Sequence, residues 1–142
     1  MNETKLHKDV FRHVEAELYA YPLREREMTR LREEILTPFH EESRDLSSTK
    51  AGRLPGDPTG QMAVRLAGHA KLMHMERVSS VIEQVYNQLP EVKQEFVRVK
   101  YWTSPQRLTA IGVCQKLHIS ERTYSRWRRQ FVQEVAEMLG WN

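Results

Sequence analysis

The sequence is poor in the residues that build sites by covalent or metal chemistry. It holds one cysteine, Cys114, so no disulfide can form within the chain, and no cysteine or histidine group has zinc-ligand spacing. A reducing cytoplasm is therefore the expected compartment, with no metal and no cofactor. His69 and His74 stand five apart and miss the i, i+4 spacing that puts two ligands on one helix face. Clustered acidic metal ligands and an activated nucleophile are both missing, which argues against phosphodiester chemistry and against an enzyme. Long apolar runs are missing as well. None approaches the roughly 18 residues of a membrane span, and the charged start at Met1–Lys5 leads into no signal-peptide core. No stretch alternates strictly enough for a strand, so the expected fold class is all-α.

What is present is positive charge gathered in one place. The 142 residues carry a net charge of only +3. Residues 1–97 hold 14 Lys/Arg against 16 Asp/Glu, residues 98–130 hold 8 against 1, and residues 131–142 hold none against 2. The middle segment thus exceeds the charge of the whole chain, the footprint expected where phosphates are met. A solvated basic face is the plainer alternative, but such faces usually mix both signs.

Apolar spacing divides the chain into helices. Leu6, Val10, Val14, Leu18 and Tyr21 predict an amphipathic helix over residues 5–20, ended by Pro22. A second, charged helix is expected from Pro22, with a sparse stripe of Leu23, Leu31 and Ile35, closed by Thr37-Pro38. Residues 39–58, rich in serine, glycine and proline, read as a linker. Asp57-Pro58-Thr59 reads as the start of a long helix whose apolar positions run from Met62 to Leu89, and Gly60 and Gly68 weaken it slightly. Pro90 restarts the chain, and residues 92–102 form a helix of about three turns before the break at Thr103-Ser104-Pro105. The expected organisation is an N-terminal helical region at 1–38, the linker, and a helical DNA-binding domain at 59–142.

Residues 108–131, LTAIGVCQKLHISERTYSRWRRQF, have the spacing of a helix-turn-helix within 109–138. Thr109 caps the first helix, and Ile111, Val113, Cys114 and Leu117 form its buried side. Cys114 is small enough for a close helix crossing, and His118 stands at the turn where glycine is usual. Ile119 packs beneath the turn and Ser120 caps the second helix. On that helix Tyr124, Trp127, Phe131, Val135 and Met138 share one stripe and read as core. At 100° per residue, Arg122, Arg126 and Arg129 lie roughly 140 to 200° from Tyr124.

A helix of this kind fits the major groove, and the arginine fork matches the O6 and N7 acceptors of guanine. Because the N-terminal residues of a recognition helix reach deepest, Glu121, Arg122, Ser125 and Arg126 are assigned to base edges. Arg107, Lys116, Arg128 and Arg129 are assigned to phosphate, and Ser120 joins the interface at the cap. Arg128 lies only about 40° from the apolar stripe, so its stem can equally serve to cover the core.

Leu89-Pro90 through Tyr101-Trp102, followed by this motif, resembles region 4 of bacterial sigma factors over about 50 residues. A wider likeness rests on Glu17-Leu18-Tyr19-Ala20-Tyr21, Asp57-Pro58-Thr59, Tyr101-Trp102, Ile119-Ser120, Thr123-Tyr124-Ser125-Arg126-Trp127-Arg128 and Leu139-Gly140-Trp141. In this order and spacing they resemble the RinA-type phage regulators, relatives of the ArpU-type proteins. That resemblance implies a temperate-phage activator of the late operon that binds double-stranded DNA near a promoter in the host cell. The expected partners are this DNA, host RNA polymerase and a second copy of the chain through the N-terminal helices, with no membrane. The competing reading is a phage packaging-recognition protein like a terminase small subunit, which also joins a helix-turn-helix to an oligomerising helical part.

Overall fold

The computed structural model describes residues 5–36, 58–103 and 106–142, and among these the chain is helical with no strand. The helices are α1 (Lys8–Leu36), α2 (Pro58–Asn87), α3 (Glu91–Tyr101), α4 (Ala110–Leu117) and α5 (Glu121–Leu139). The expected linker at 39–58 lies outside the described residues except for Pro58, which opens α2.

Compactness divides the chain elsewhere than composition does. Met1–Pro22 with Val78–Asn142 form one unit and Leu23–Arg77 form another, so α1 and α2 each contribute to both. In the smaller unit, Met28 of α1 meets Leu72 and Met75 of α2, with Leu31 and Ile35 alongside. Arg32 adds a hydrogen-bonded ion pair to Glu76 at 3.1 Å. Both of its carboxylate and guanidinium ends are close to half exposed, so this pair contributes little to stability.

The larger unit holds the main core. Val14 and Leu18 of α1, Ile82 and Val85 of α2, Phe96 and Val97 of α3, Val113 of α4 and Val132 and Val135 of α5 are all essentially inaccessible. In α3 the buried positions include Phe96, Val97, Val99, Lys100 and Tyr101, nearly the whole C-terminal half. A helix buried on more than one side is a central one, and α3 is the element around which this unit packs.

Pro22 does not end the first helix. It lies inside α1, which runs unbroken from Lys8 to Leu36. Proline removes the N–H that would bond the carbonyl four residues back, here that of Leu18. Leu18 is fully buried, so an orphaned carbonyl there would be costly. The indole Nε1 of Trp102, just past the end of α3, donates to Leu18 O at 3.1 Å and replaces the missing donor. Tyr21 and Tyr86 hold that indole, each with its ring centroid 4.8 Å from it.

Glu15 fixes the same end of α1 from the next turn. Its carboxylate accepts from Arg128 Nε at 2.8 Å and Nη2 at 2.6 Å, a two-pronged pair, and from the Tyr101 hydroxyl at 2.8 Å. Lys100 Nζ stands 3.9 Å away, buried, and donates to the Tyr19 hydroxyl at 3.1 Å. Burial pushes the Glu15 carboxyl up, but the hydrogen bonds from Arg128 and Tyr101 and the nearby positive charges outweigh it, and the net direction is down. Burial beside this carboxylate drives the Tyr101 hydroxyl far above its ordinary value, so it remains a donor.

Two predictions follow from these contacts. Trp102→Phe should cost about 1 to 3 kcal/mol by stranding the Leu18 carbonyl. The cost should shrink when Pro22→Ala restores the helical N–H, and an additive double-mutant cycle in denaturant melts would refute the replacement. Glu15→Gln should cost about 1 to 3 kcal/mol, below the usual range for breaking a buried pair because Arg128 is partly exposed. A depressed folded pKa means that stability from this carboxylate is full above the ordinary glutamate value of 4.5 and is lost as pH falls through the lower folded value. The wild-type advantage over Glu15→Gln should therefore close only below pH 4.5. Curves that converge above that value would contradict the assigned direction.

Candidate nucleic-acid interface

Local chemistry sets both helices of the candidate motif. The Thr109 side chain accepts from the Gly112 N–H at 3.1 Å and caps α4. A Cβ at Gly112 would stand 3.3 Å from that hydroxyl, a tight contact that glycine avoids. His118 closes α4 in the left-handed region at φ 56°, ψ 44°, and the N–H groups of His118 and Ile119 both reach back to the Cys114 carbonyl. Ser120 then caps α5 by accepting from the Thr123 N–H at 3.0 Å. Three residues, His118 to Ser120, thus join the helices, and Gly140, also left-handed, closes α5.

Val113 and Cys114 of α4 are buried and Leu117 packs against the core, but Ile111 is 59% exposed and belongs to the outer side of the helix. On α5 the buried residues are Tyr124, Phe131, Val132, Val135, Ala136 and Leu139. Met138, expected in the stripe, is exposed, and Leu139 takes the inward position. The buried arc therefore spans about 140° and is centred away from Tyr124, toward the position of Arg128.

That shift separates the arginines. Arg122, Arg126 and Arg129 are exposed, and none pairs with a carboxylate among the described residues. Ser125 lies exposed among them, and Glu121 stands at the first position of α5, also exposed. Lys116 is exposed in the last turn of α4. All six side chains of the helix pair are thus open to solvent.

The other three expected residues are engaged elsewhere. Ser120 spends its hydroxyl on the cap and on Thr123 Oγ1. Arg128 is half-buried in its pair with Glu15, and its guanidinium carbon stands 4.9 Å over the Phe11 ring. The hydrogen bond to Glu15 holds Arg128 above its ordinary pKa, against burial. Arg107 is exposed but covers the Tyr19 ring at 3.8 Å. Both arginines thus touch α1, a helix that sequence spacing does not connect to the motif.

Among the described residues no three His, Cys, Asp or Glu side chains could hold a metal ion together, and no helix is long and apolar enough to cross a membrane.

The chain is similar to a protein named Transcriptional activator rinA from Staphylococcus phage phi11, 26% identical over 132 residues, which cover 91% of this chain and 89% of that one. No solved structure matches it. The family described as Protein of unknown function (DUF722) matches residues 24–137, from the second residue of the smaller unit's share of α1 almost to the end of α5. Most of the chain lies within that match, so the protein belongs to the DUF722 family, and its likeness to the RinA-named protein runs nearly end to end.

Proposed function

We propose that this protein activates phage transcription by binding double-stranded DNA with α5 in the major groove. The observation that carries the reading is the outer face of α5. Three exposed arginines with no carboxylate partner among the described residues share that face with Ser125, while the adjoining arc of the same helix is packed into the core. Desolvated arginines without a partner are costly, whereas exposed ones cost little and are free to take up guanine edges or phosphates. The similarity to a protein named as a transcriptional activator supports the regulatory half of the proposal. The late operon is the proposed target, host RNA polymerase a proposed partner, and the bacterial cytoplasm the proposed location.

Within the interface, Glu121, Arg122, Ser125 and Arg126 read base edges and Arg129 and Lys116 hold phosphate. Arg107 and Arg128 are placed to contact phosphate only with the donors left over from their contacts to α1. Arg122→Ala and Arg126→Ala should each cost about 1 to 3 kcal/mol on the cognate site and much less on random duplex DNA. Arg129→Ala should weaken binding to both and lower the salt slope by about one. Equal losses on both kinds of DNA for Arg122 and Arg126 would turn them into phosphate contacts. Footprinting over the phage genome locates the cognate site, and protection at a packaging signal instead of a promoter would replace activation with packaging recognition.

The Leu23–Arg77 unit is proposed to make the protein contacts. Met62, Leu66 and Met73 of α2 are each more than half exposed and fall within about 40° of one another on the helix. Such a stripe fits self-association. Leu66→Glu should lower the sedimentation coefficient of the purified protein toward the monomer value, and a wild-type protein that stays monomeric at every concentration would remove this part of the proposal.

A further inference from the structure

An open groove of about 880 Å³ runs beside α5 within the larger unit, with an apolar floor that includes Leu6 and Phe11 and with lysine and arginine side chains around it. Lys5, Lys8 and Arg12 approach from the first residues of α1 and the segment before it, Arg128 and Arg129 from α5, and Phe11 lies between. Glu15 is the one carboxylate in the lining, and it is spent on Arg128. Asp9, near on the chain, has its carboxylate 3.6 Å from His7 Nδ1 and does not line the groove. Lys5, Lys8 and Arg12 are all exposed, and none has a carboxylate partner among the described residues.

From this arrangement we infer that Lys5, Lys8 and Arg12 form a phosphate clamp that extends the DNA-contacting surface from α5 onto α1. The inference rests on the DNA-binding reading and adds a second element to it.

Three features favour a nucleic-acid backbone as the occupant. Lys8 and Arg12 stand one turn apart on α1, where like charges repel unless an anion lies over them. Lys8 also opens α1, whose positive end disfavours a cation and favours phosphate, with Asp9 the one acidic side chain in that turn. Above all, Arg129 belongs to the groove and to the exposed arginine row of α5 at once. A strand whose phosphates meet Arg129 at the edge of the reading helix therefore continues into the groove past Arg12, Lys8 and Lys5. Cations with no unpaired carboxylate among them along an open channel suit a backbone of repeating single charges, which binds by counterion release and not by shape. An acidic protein segment is the other anion that such a channel accepts.

The test uses the full chain. Lys5→Ala, Lys8→Ala and Arg12→Ala are made singly and together, with Arg26→Ala/Lys71→Ala as a control that removes exposed cations outside the groove. Binding to a fluorescent random-sequence duplex is measured across a potassium chloride series. The combined variant should lose about three from the slope of log affinity against log salt, roughly one per residue, while the control keeps the wild-type slope. Circular dichroism should be unchanged, since all three side chains are exposed. An unchanged slope in the combined variant, or an equal loss in the control, overturns the clamp while leaving α5 as the DNA-binding element. Binding of poly-glutamate that the combined variant loses, with no change on DNA, also overturns it and reassigns the groove to an acidic protein segment. Failure of the wild-type chain to bind any duplex would instead overturn the DNA reading itself, and the clamp with it.

Discussion

One carboxylate, that of Glu15, sets how α1 sits on the larger unit. Apolar contacts such as those of Val14 and Leu18 supply most of the attraction, but they are non-directional and a helix can slide along them by a turn. The Glu15 contacts cannot slide. A two-pronged arginine pair and a tyrosine hydroxyl converge on one carboxylate only when α1, α3 and α5 are all in register. A pair of this kind adds little net energy beyond what apolar packing would give, and its value lies in rejecting alternatives. Everything that α1 brings to the surface, including its row of cations, depends on that register.

Pro22 and Trp102 act on the same helix one turn further on. A proline in mid-helix ordinarily costs a hydrogen bond, and here the cost is met by an indole from the residue that ends α3. The replacement donor works only if α3 ends where it does, because one more helical turn would carry Trp102 away from Leu18. Thr103 helps to fix that end by donating its hydroxyl to the Arg98 or Val99 carbonyl. The proline thereby makes α1 dependent on tertiary contact, which ties its folding to that of the core.

Local signals were legible in the sequence and distant ones were not. Thr109, His118 and Ser120 were readable because a cap or a left-handed turn is decided within four residues. Pro22 reads as a helix end only by a rule that concerns the chain's own hydrogen bonds, and the indole that replaces the missing donor comes from 80 residues away. Ile111 and Met138 sit at apolar spacing yet face outward, since periodicity tells which residues share a face and not which arc the neighbours cover. The buried arc of α5 also includes Val132, Ala136 and Leu139, and that is why Arg128 falls beneath α1. Lys5, Lys8 and Arg12 were hidden by arithmetic. Residues 1–97 hold more acidic than basic side chains, and only the fold places these three cations beside α5.

Four arginines occur within eight residues of α5, and nothing in their chemistry tells them apart. Their surroundings do. Arg128 has a buried carboxylate to satisfy it, and breaking that pair to reach a phosphate would strand Glu15 among Tyr101 and Lys100. Arg129, its neighbour in sequence, has no carboxylate partner among the described residues and loses no ion pair there by turning to an external anion. Arg122 and Arg126 are equally uncommitted but stand nearer the N-terminal end, where a helix in a groove reaches base edges first. The fold thus turns a run of equivalent charges into one structural tie and three exposed donors, of which Arg129 alone also borders the groove beside α1.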